Sequence, residues 1–208
     1  MLYIISCFLS KTFARIFWGF KGEGMENVPR QGPAIIACNH SSYVDPPLVG
    51  CLFKRKFWFM ARKTLFKGKI IKRYLEAIHA MPIDNKGSDI GALKLILKKL
   101  KKCEVVVIFP EGTRSPDGTI REARQGIGAI ALKTGVPVIP AYIHNANKAW
   151  PKNSKFPKFG VKVKVFFGNP ITFSQSNSYS KEDSREIATR IMDSIKFLRE
   201  KEVKKHGT

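Results

Sequence analysis

The sequence predicts an α/β domain, a largely parallel central sheet flanked by helices, preceded by an N-terminal amphipathic helix. Three observations carry this expectation. Short apolar runs rich in β-branched residues recur at 34–38, 105–109 and 136–143 and read as buried strands. Stretches with apolar residues at helical spacing occur at 90–102, 126–133 and 180–203. The two kinds alternate along the chain, as expected of strands joined by crossover helices. No internal repeat or obvious linker interrupts the 208 residues, so one such domain is expected.

Residues 1–21 form the first unit. The apolar run from Met1 to Leu9 is shorter than the ~20 residues that span a bilayer. It has no basic residues ahead of it and no small-residue cleavage site, so a signal peptide is not expected. Further on, Phe13, Ile16, Phe17, Trp18 and Phe20 are interleaved with Lys11, Arg15 and Lys21. That mixture suits a helix lying in a membrane interface; an ordinary first helix packed on the core is the plainer reading.

The second unit, residues 22–208, opens with a turn-rich connection at 22–33 and the strand 34–38. Asp45 before Pro46 and Pro47 marks a helix start. Residues 53–74 hold Lys54, Arg55, Lys56, Arg62, Lys63, Lys67, Lys69, Lys72 and Arg73 and no acidic residue, among Phe53, Phe57, Trp58, Phe59, Phe66 and Tyr74. Cations beside aromatic rings suit a lipid headgroup interface, although the same mixture can stack single-stranded nucleic acid or form a solvated face. The helix at 90–102 shows Ile90, Leu93, Leu97 and Leu100 on one side. Residues 126–133 read as a closely packed helix ended by Gly135. Pro137 and Pro140 suggest that the strand 136–143 is an edge, or that they mark its ends. Residues 161–167 alternate Val with Lys as a half-exposed strand, and 180–203 carry an apolar stripe of Ile187, Ile191, Ile195 and Leu198.

A hydrophobic content of 44% excludes a disordered chain. The formal net charge of +21 attracts polyanions, either nucleic acid or an anionic lipid surface. Cys7, Cys38, Cys51 and Cys103 form no metal-ligand spacing, so reduced thiols and no metal site are expected.

Two clusters carry chemistry, and each follows a strand directly, where α/β folds place their sites. The first is Asn39-His40-Ser41-Ser42-Tyr43-Val44-Asp45-Pro46. On a continuous helix His40 and Asp45 would diverge by about 140°. They meet only if the residues between them turn. An imidazole paired with a carboxylate can take a proton from a hydroxyl while the carboxylate holds the tautomer; a structural His–Asp contact is the plainer alternative. The second cluster is Phe109-Pro110-Glu111-Gly112-Thr113-Arg114-Ser115. Arg114 offers a planar fork for phosphate or carboxylate. Gly112 lets backbone amides approach an anion. Glu111 can hold a substrate hydroxyl or orient Arg114, or the cluster is only a strand-to-loop salt bridge.

Together the two clusters resemble the His-x-x-x-x-Asp and Phe-Pro-Glu-Gly-Thr-Arg-Ser blocks of the glycerolipid acyltransferases, in the same order and separation. Residues 24–29, 136–143 and 167–171 are similar to further segments of that family, so the resemblance runs over roughly residues 20–200. Within the family it points to the enzymes that acylate 1-acyl-sn-glycerol 3-phosphate. One departure is visible: Asn85 stands where the family's second block ends in Arg, with Lys86 beside it as a substitute cation.

The resemblance implies transfer of an acyl group from an acyl thioester, on coenzyme A or acyl carrier protein, to the sn-2 hydroxyl of lysophosphatidic acid, giving phosphatidic acid. His40 is then the general base and Asp45 its partner. Arg114, with Lys86 and Asn85 nearby, holds the acceptor phosphate, and Glu111, Gly112 and Thr113 complete the substrate site. No cofactor or metal beyond the acyl carrier is implied, and direct transfer is expected in preference to an acyl-enzyme on Cys38, Ser41 or Ser42. The expected partners are an anionic membrane surface, the lysophospholipid and the acyl carrier, not nucleic acid. The expected location is the cytoplasmic face of the cell membrane, peripheral or monotopic. An apolar groove for the acyl chain is expected near 53–74. A different lysophospholipid or an amino-acid lipid is the alternative acceptor. A non-catalytic basic binding protein leaves both motif blocks unexplained.

Overall fold

A computed structural model describes residues 2–83 and 89–206. The strands are β1 (Lys21–Glu23), β2 (Ala34–Cys38), β3 (Phe57–Arg62), β4 (Ala80–Ile83), β5 (Val105–Ile108), β6 (Val138–His144) and β7 (Lys164–Phe167). The helices are α1 (Leu2–Trp18), α2 (Asp45–Gly50), α3 (Lys69–Ala77), α4 (Asp89–Leu100), α5 (Gly126–Thr134), α6 (Ala146–Ala149) and α7 (Lys181–His206). Among the described residues the strands form one sheet in the order β1-β7-β6-β2-β5-β3-β4. The run β6-β2-β5-β3-β4 is parallel throughout; β7 pairs antiparallel with β6 and parallel with β1.

The pleat sends alternate side chains to opposite faces, and two cores result. Ile36, Cys38, Val107, Ile139 and Ala141 pack under Trp18, Leu48 and Val49 from α1 and α2. Ile35, Ala37, Val106, Ile108 and Val138 pack against Ile96, Ile127, Ile130 and Ile191 from α4, α5 and α7. Every residue of β2 is buried, which explains why its sequence is an unbroken apolar run.

Helix α7 opens with a reciprocal cap. The Asp183 amide donates to Ser180 Oγ at 3.0 Å, and the Ser180 amide donates to Asp183 Oδ2 at 2.7 Å. Helices α5 and α7 cross at Gly128, where an added Cβ would fall 1.9 Å from the Ser184 carbonyl oxygen, so the crossing requires glycine.

Two expectations are corrected. The stretch 53–74 is not wholly an interface, because 57–62 is strand β3 and Phe57 and Phe59 are buried in the core. Its period-2 pattern is obscured in the sequence because Trp58 and Met60 pack on the other face, so both faces are apolar. Nor is β6 an edge strand, since it lies between β2 and β7. Pro140 is tolerated there because the partner strand is irregular opposite it. The pairing Ala141↔Phe167 gives way to Val138↔Ile171, leaving one extra residue, and Gly168 N–H donates to the Pro140 carbonyl at 2.8 Å.

Helix α1 docks along the α2 face. Trp18 Nε1 donates to the Lys158 carbonyl at 2.7 Å, and Tyr3 Oη donates to the Arg55 carbonyl at 3.4 Å. Its outer side leaves Leu2, Ile4, Ile5, Phe8, Leu9 and Ile16 exposed. Among the described residues, no helix is long and apolar enough to cross a membrane.

Candidate active site

The site is built at the carboxyl edge of the sheet, where β2 and β5 end side by side. Buried Asn39 anchors the end of β2: its Nδ2 donates to the Ile143 carbonyl at 3.1 Å and its Oδ1 accepts the Ile143 amide at 2.7 Å. The chain then turns, as the spacing of His40 and Asp45 demands. Asp45 Oδ2 accepts the amides of Ser41 and Ser42 at 2.7 and 2.8 Å, and His40 Nδ1 lies 2.8 Å from the same oxygen.

Asp45 is fully buried, while the His40 side chain retains 19% exposure. With the carboxylate as acceptor, the hydrogen belongs on Nδ1, which leaves Nε2 as the basic nitrogen. The imidazole is stacked on the Phe109 ring with centroids 4.1 Å apart. Two amides and a packed ring therefore hold the pair in one arrangement.

Loop 109–115 braces it from the other side. Ser115 N–H donates to the His40 carbonyl at 2.8 Å. Glu111 Oε1 accepts the His40 amide at 2.9 Å, and Oε2 accepts the Arg121 amide at 3.3 Å. Burial pushes the Glu111 carboxyl upward, and these two amides oppose that shift. Glu111 thus has a bracing task that its sequence position did not disclose; its hydrogen bonds go to backbone rather than orienting Arg114. The Gly112 amide is also engaged, donating to the Phe109 carbonyl at 3.0 Å, so it is not a spare donor for an anion. Gly112 has φ +71°, and a Cβ there would fall 2.5 Å from Arg124 Nε.

Arg114 lies with its guanidinium carbon 3.4 Å from the centroid of the Tyr43 ring, and its Nη1 is buried with no hydrogen-bond partner. The Tyr43 ring thus supports the cation from one side. Thr113 Oγ1 accepts Arg121 Nη1 at 3.4 Å. Asn85 and Lys86 lie outside the described residues. The sequence reading missed the brace at Asn39, the stacking platform Tyr43 and the partner Arg121. Only Asn39, a polar residue closing an apolar run, left a readable signal.

Phe109, Pro110 and Gly112 also border a groove of about 1020 Å³ between α4, α5 and α7. Leu93, Ile96, Ile127 and Met192 line it, and Met60 is its sole contribution from 53–74, so this groove is built mostly from other segments than the one expected.

A family model described as Acyltransferase matches residues 19–144. The 1-acyl-sn-glycerol-3-phosphate acyltransferase of Bacillus subtilis (strain 168) is 32% identical over 162 residues, covering 77% of this chain and 78% of that protein. The chloroplastic 1-acyl-sn-glycerol-3-phosphate acyltransferase LPAT1 of Arabidopsis thaliana is 31% identical over 188 residues, 87% of this chain but 52% of its own length. Among solved structures, the 1-acyl-sn-glycerophosphate (LPA) acyltransferase PlsC from Thermotoga maritima superposes with a TM-score of 0.72 at 29% identity, covering 92% of this chain and 77% of that one.

Proposed function

The chain belongs to the Acyltransferase family, and on that premise we propose that it transfers an acyl group from an acyl thioester to the sn-2 hydroxyl of lysophosphatidic acid, giving phosphatidic acid. The observation that carries this reading is the 2.8 Å pair of His40 and buried Asp45, set in the same turn as the platform Tyr43 beneath Arg114.

His40 Nε2 takes the proton of the acceptor hydroxyl as its oxygen attacks the thioester carbonyl carbon. The tetrahedral intermediate collapses with cleavage of the C–S bond. The imidazolium returns the proton to the leaving thiolate, so a phospholipid and a free thiol depart. Asp45 stabilises the imidazolium between these steps. Arg114 receives the acceptor phosphate with its guanidinium, which Tyr43 supports. Glu111 positions His40 by holding its amide.

Direct transfer fits better than an acyl-enzyme. Cys38 is fully buried, and burial holds its thiol well above the usual range. Ser42 Oγ is committed to the Trp150 carbonyl at 2.8 Å.

The test is transfer of labelled acyl groups from acyl-CoA and from acyl carrier protein to lysophosphatidate in mixed micelles, beside other lysophospholipids and an amino-acid lipid. Phosphatidic acid should be the dominant product. Faster acylation of a different headgroup would replace lysophosphatidate as the acceptor and implicate the Asn85 departure.

The reading also places the enzyme on the cytoplasmic leaflet, with α1 in the interface, anionic lipid as partner and nucleic acid excluded. The exposed apolar face of α1 with Lys11 and Arg15 beside it supports the interface helix. Burying one large apolar side chain is worth roughly 1.5–3 kcal/mol, so Ile4→Ser with Phe8→Ser should lower partitioning onto anionic vesicles about a hundredfold or more. Co-sedimentation measures it; undiminished binding would remove α1 from the interface.

A further inference from the structure

We propose that the loop 150–160 is a second membrane footing: beside α1, it seats on an anionic lipid leaflet and so fixes the His40 turn at that surface. Its use in catalysis rests on the acyl-transfer reading above, whose acceptor lies in such a leaflet; its binding to lipid does not.

The loop presents two large apolar rings to solvent on an ordered frame. Phe156 is 77% exposed and Phe159 61%. The Lys158 amide donates to the Ala149 carbonyl at 2.7 Å and closes the loop. Within it, Trp150 Nε1 donates to the Ser154 carbonyl at 3.1 Å, and the Ser154 amide donates to the Pro151 carbonyl at 3.0 Å. Trp150 at its start and Val161 just past its end pack on the core under α1.

The rings continue the exposed face of α1. The centroid of Phe159 lies 4.8 Å from that of Phe17 and 6.4 Å from that of Phe13. Gly160 N–H donates to the Phe17 carbonyl at 3.1 Å, so loop and helix are joined through backbone as well. Phe13, Ile16 and Phe17 are exposed too. A contiguous apolar patch of this kind marks a contact surface, unlike apolar residues scattered singly.

Charge selects the occupant. No acidic residue occurs between Glu122 and Glu182, and the loop with its flanks carries Lys148, Lys152, Lys155, Lys158 and Lys162. Rings that enter the acyl boundary with ammonium groups at the level of the phosphates suit a leaflet of anionic lipid. A nucleic acid offers phosphates as well, but Leu9 and Ile16, exposed on the same helix, give a base no ring to stack on.

The loop also starts at the active-site turn. Ser42 Oγ donates to the Trp150 carbonyl at 2.8 Å, and the Ser42 amide is one of the two that hold Asp45. A leaflet that holds the loop therefore holds this turn at a set depth.

The test is co-sedimentation of the full chain with vesicles of phosphatidylcholine plus phosphatidylglycerol and with phosphatidylcholine alone. Acyl transfer is measured beside it, to lysophosphatidate in the mixed vesicles and to a short-chain lysophosphatidate dissolved as monomers. Phe156→Ser should lower partitioning onto the mixed vesicles about tenfold. Lys155→Glu should lower it about tenfold there, with little change on phosphatidylcholine alone. Transfer to the vesicle-borne acceptor should fall in step, while transfer to the dissolved acceptor stays within about twofold, since it needs no surface. Lys101→Glu, an equal charge change just beyond α4 on the other face of the sheet, should leave binding within about twofold. Wild-type protein that binds neither vesicle, unchanged binding by both loop variants, an equal effect of Lys101→Glu, or an equal loss of transfer to the dissolved acceptor would each overturn the proposal. Tighter binding to a single-stranded oligonucleotide than to mixed vesicles, lost in Phe156→Ser, would replace lipid with nucleic acid. Vesicle binding that depends on Phe156 and Lys155, without transfer to either acceptor, would instead overturn the acyl-transfer reading and leave the footing standing.

Discussion

His40→Ala should lower the initial rate of acyl transfer by at least ~10²–10⁴-fold, the contribution typical of a positioned general base. The fold should survive, because His40 is partly exposed and its backbone contacts to Glu111 and Ser115 do not need the side chain. The two readouts are the initial rate at saturating substrates and the thermal unfolding midpoint. A variant that unfolds near the wild-type temperature and is inactive assigns the loss to chemistry. A variant with a rate within about tenfold of wild type would remove His40 from the role of base, since that lies below the range expected of one.

Asp45 gives the second large effect, and two substitutions divide its tasks. Asp45→Asn keeps an oxygen for the Ser41 and Ser42 amides but loses the charge that balances an imidazolium. The same oxygen still faces His40 Nδ1, so the tautomer is kept and the loss isolates the charge. Activity should therefore fall by ~10²–10⁴-fold with little change in stability. Asp45→Ala removes the acceptor altogether and leaves two backbone donors and an imidazole nitrogen unpaired at a fully buried position. Each orphaned buried group costs about 1–3 kcal/mol, so the Ala variant should unfold several degrees below the Asn variant. Equal melting temperatures would show that the turn does not depend on this carboxylate. An active Asn variant would show that its charge is not needed.

Much of this molecule is legible in its sequence because the signals are local. The apolar run at 34–38 and the β-branched run at 105–108 lie next to each other in the middle of the sheet. Asp45 before two prolines starts a helix, and Gly135 ends one at φ +60°. The five-residue spacing of His40 and Asp45 required a turn, and the turn is there. Strand β3 was harder to read because its aromatic residues are apolar toward both faces and its neighbours are strongly basic, which imitates an interface. Pro140 misled because a proline reads as an edge only when its partner strand is regular, and here the partner bulges opposite it.

By itself, then, the sequence determined the central strands β2, β5 and β6 and the helices α4, α5 and α7, the loop that joins His40 to Asp45 and the family through its two motif blocks, all properties of residues within a few positions of one another. The tertiary structure alone decided what surrounds them. It brought Glu111 to the His40 amide across 71 residues, laid Arg114 on Tyr43, slid Phe109 against the imidazole and opened the groove on the face away from α1. The physical reason is that side-chain periodicity records which face of an element is buried, whereas the register between strands and the packing of helices on the sheet determine which residue it is buried against.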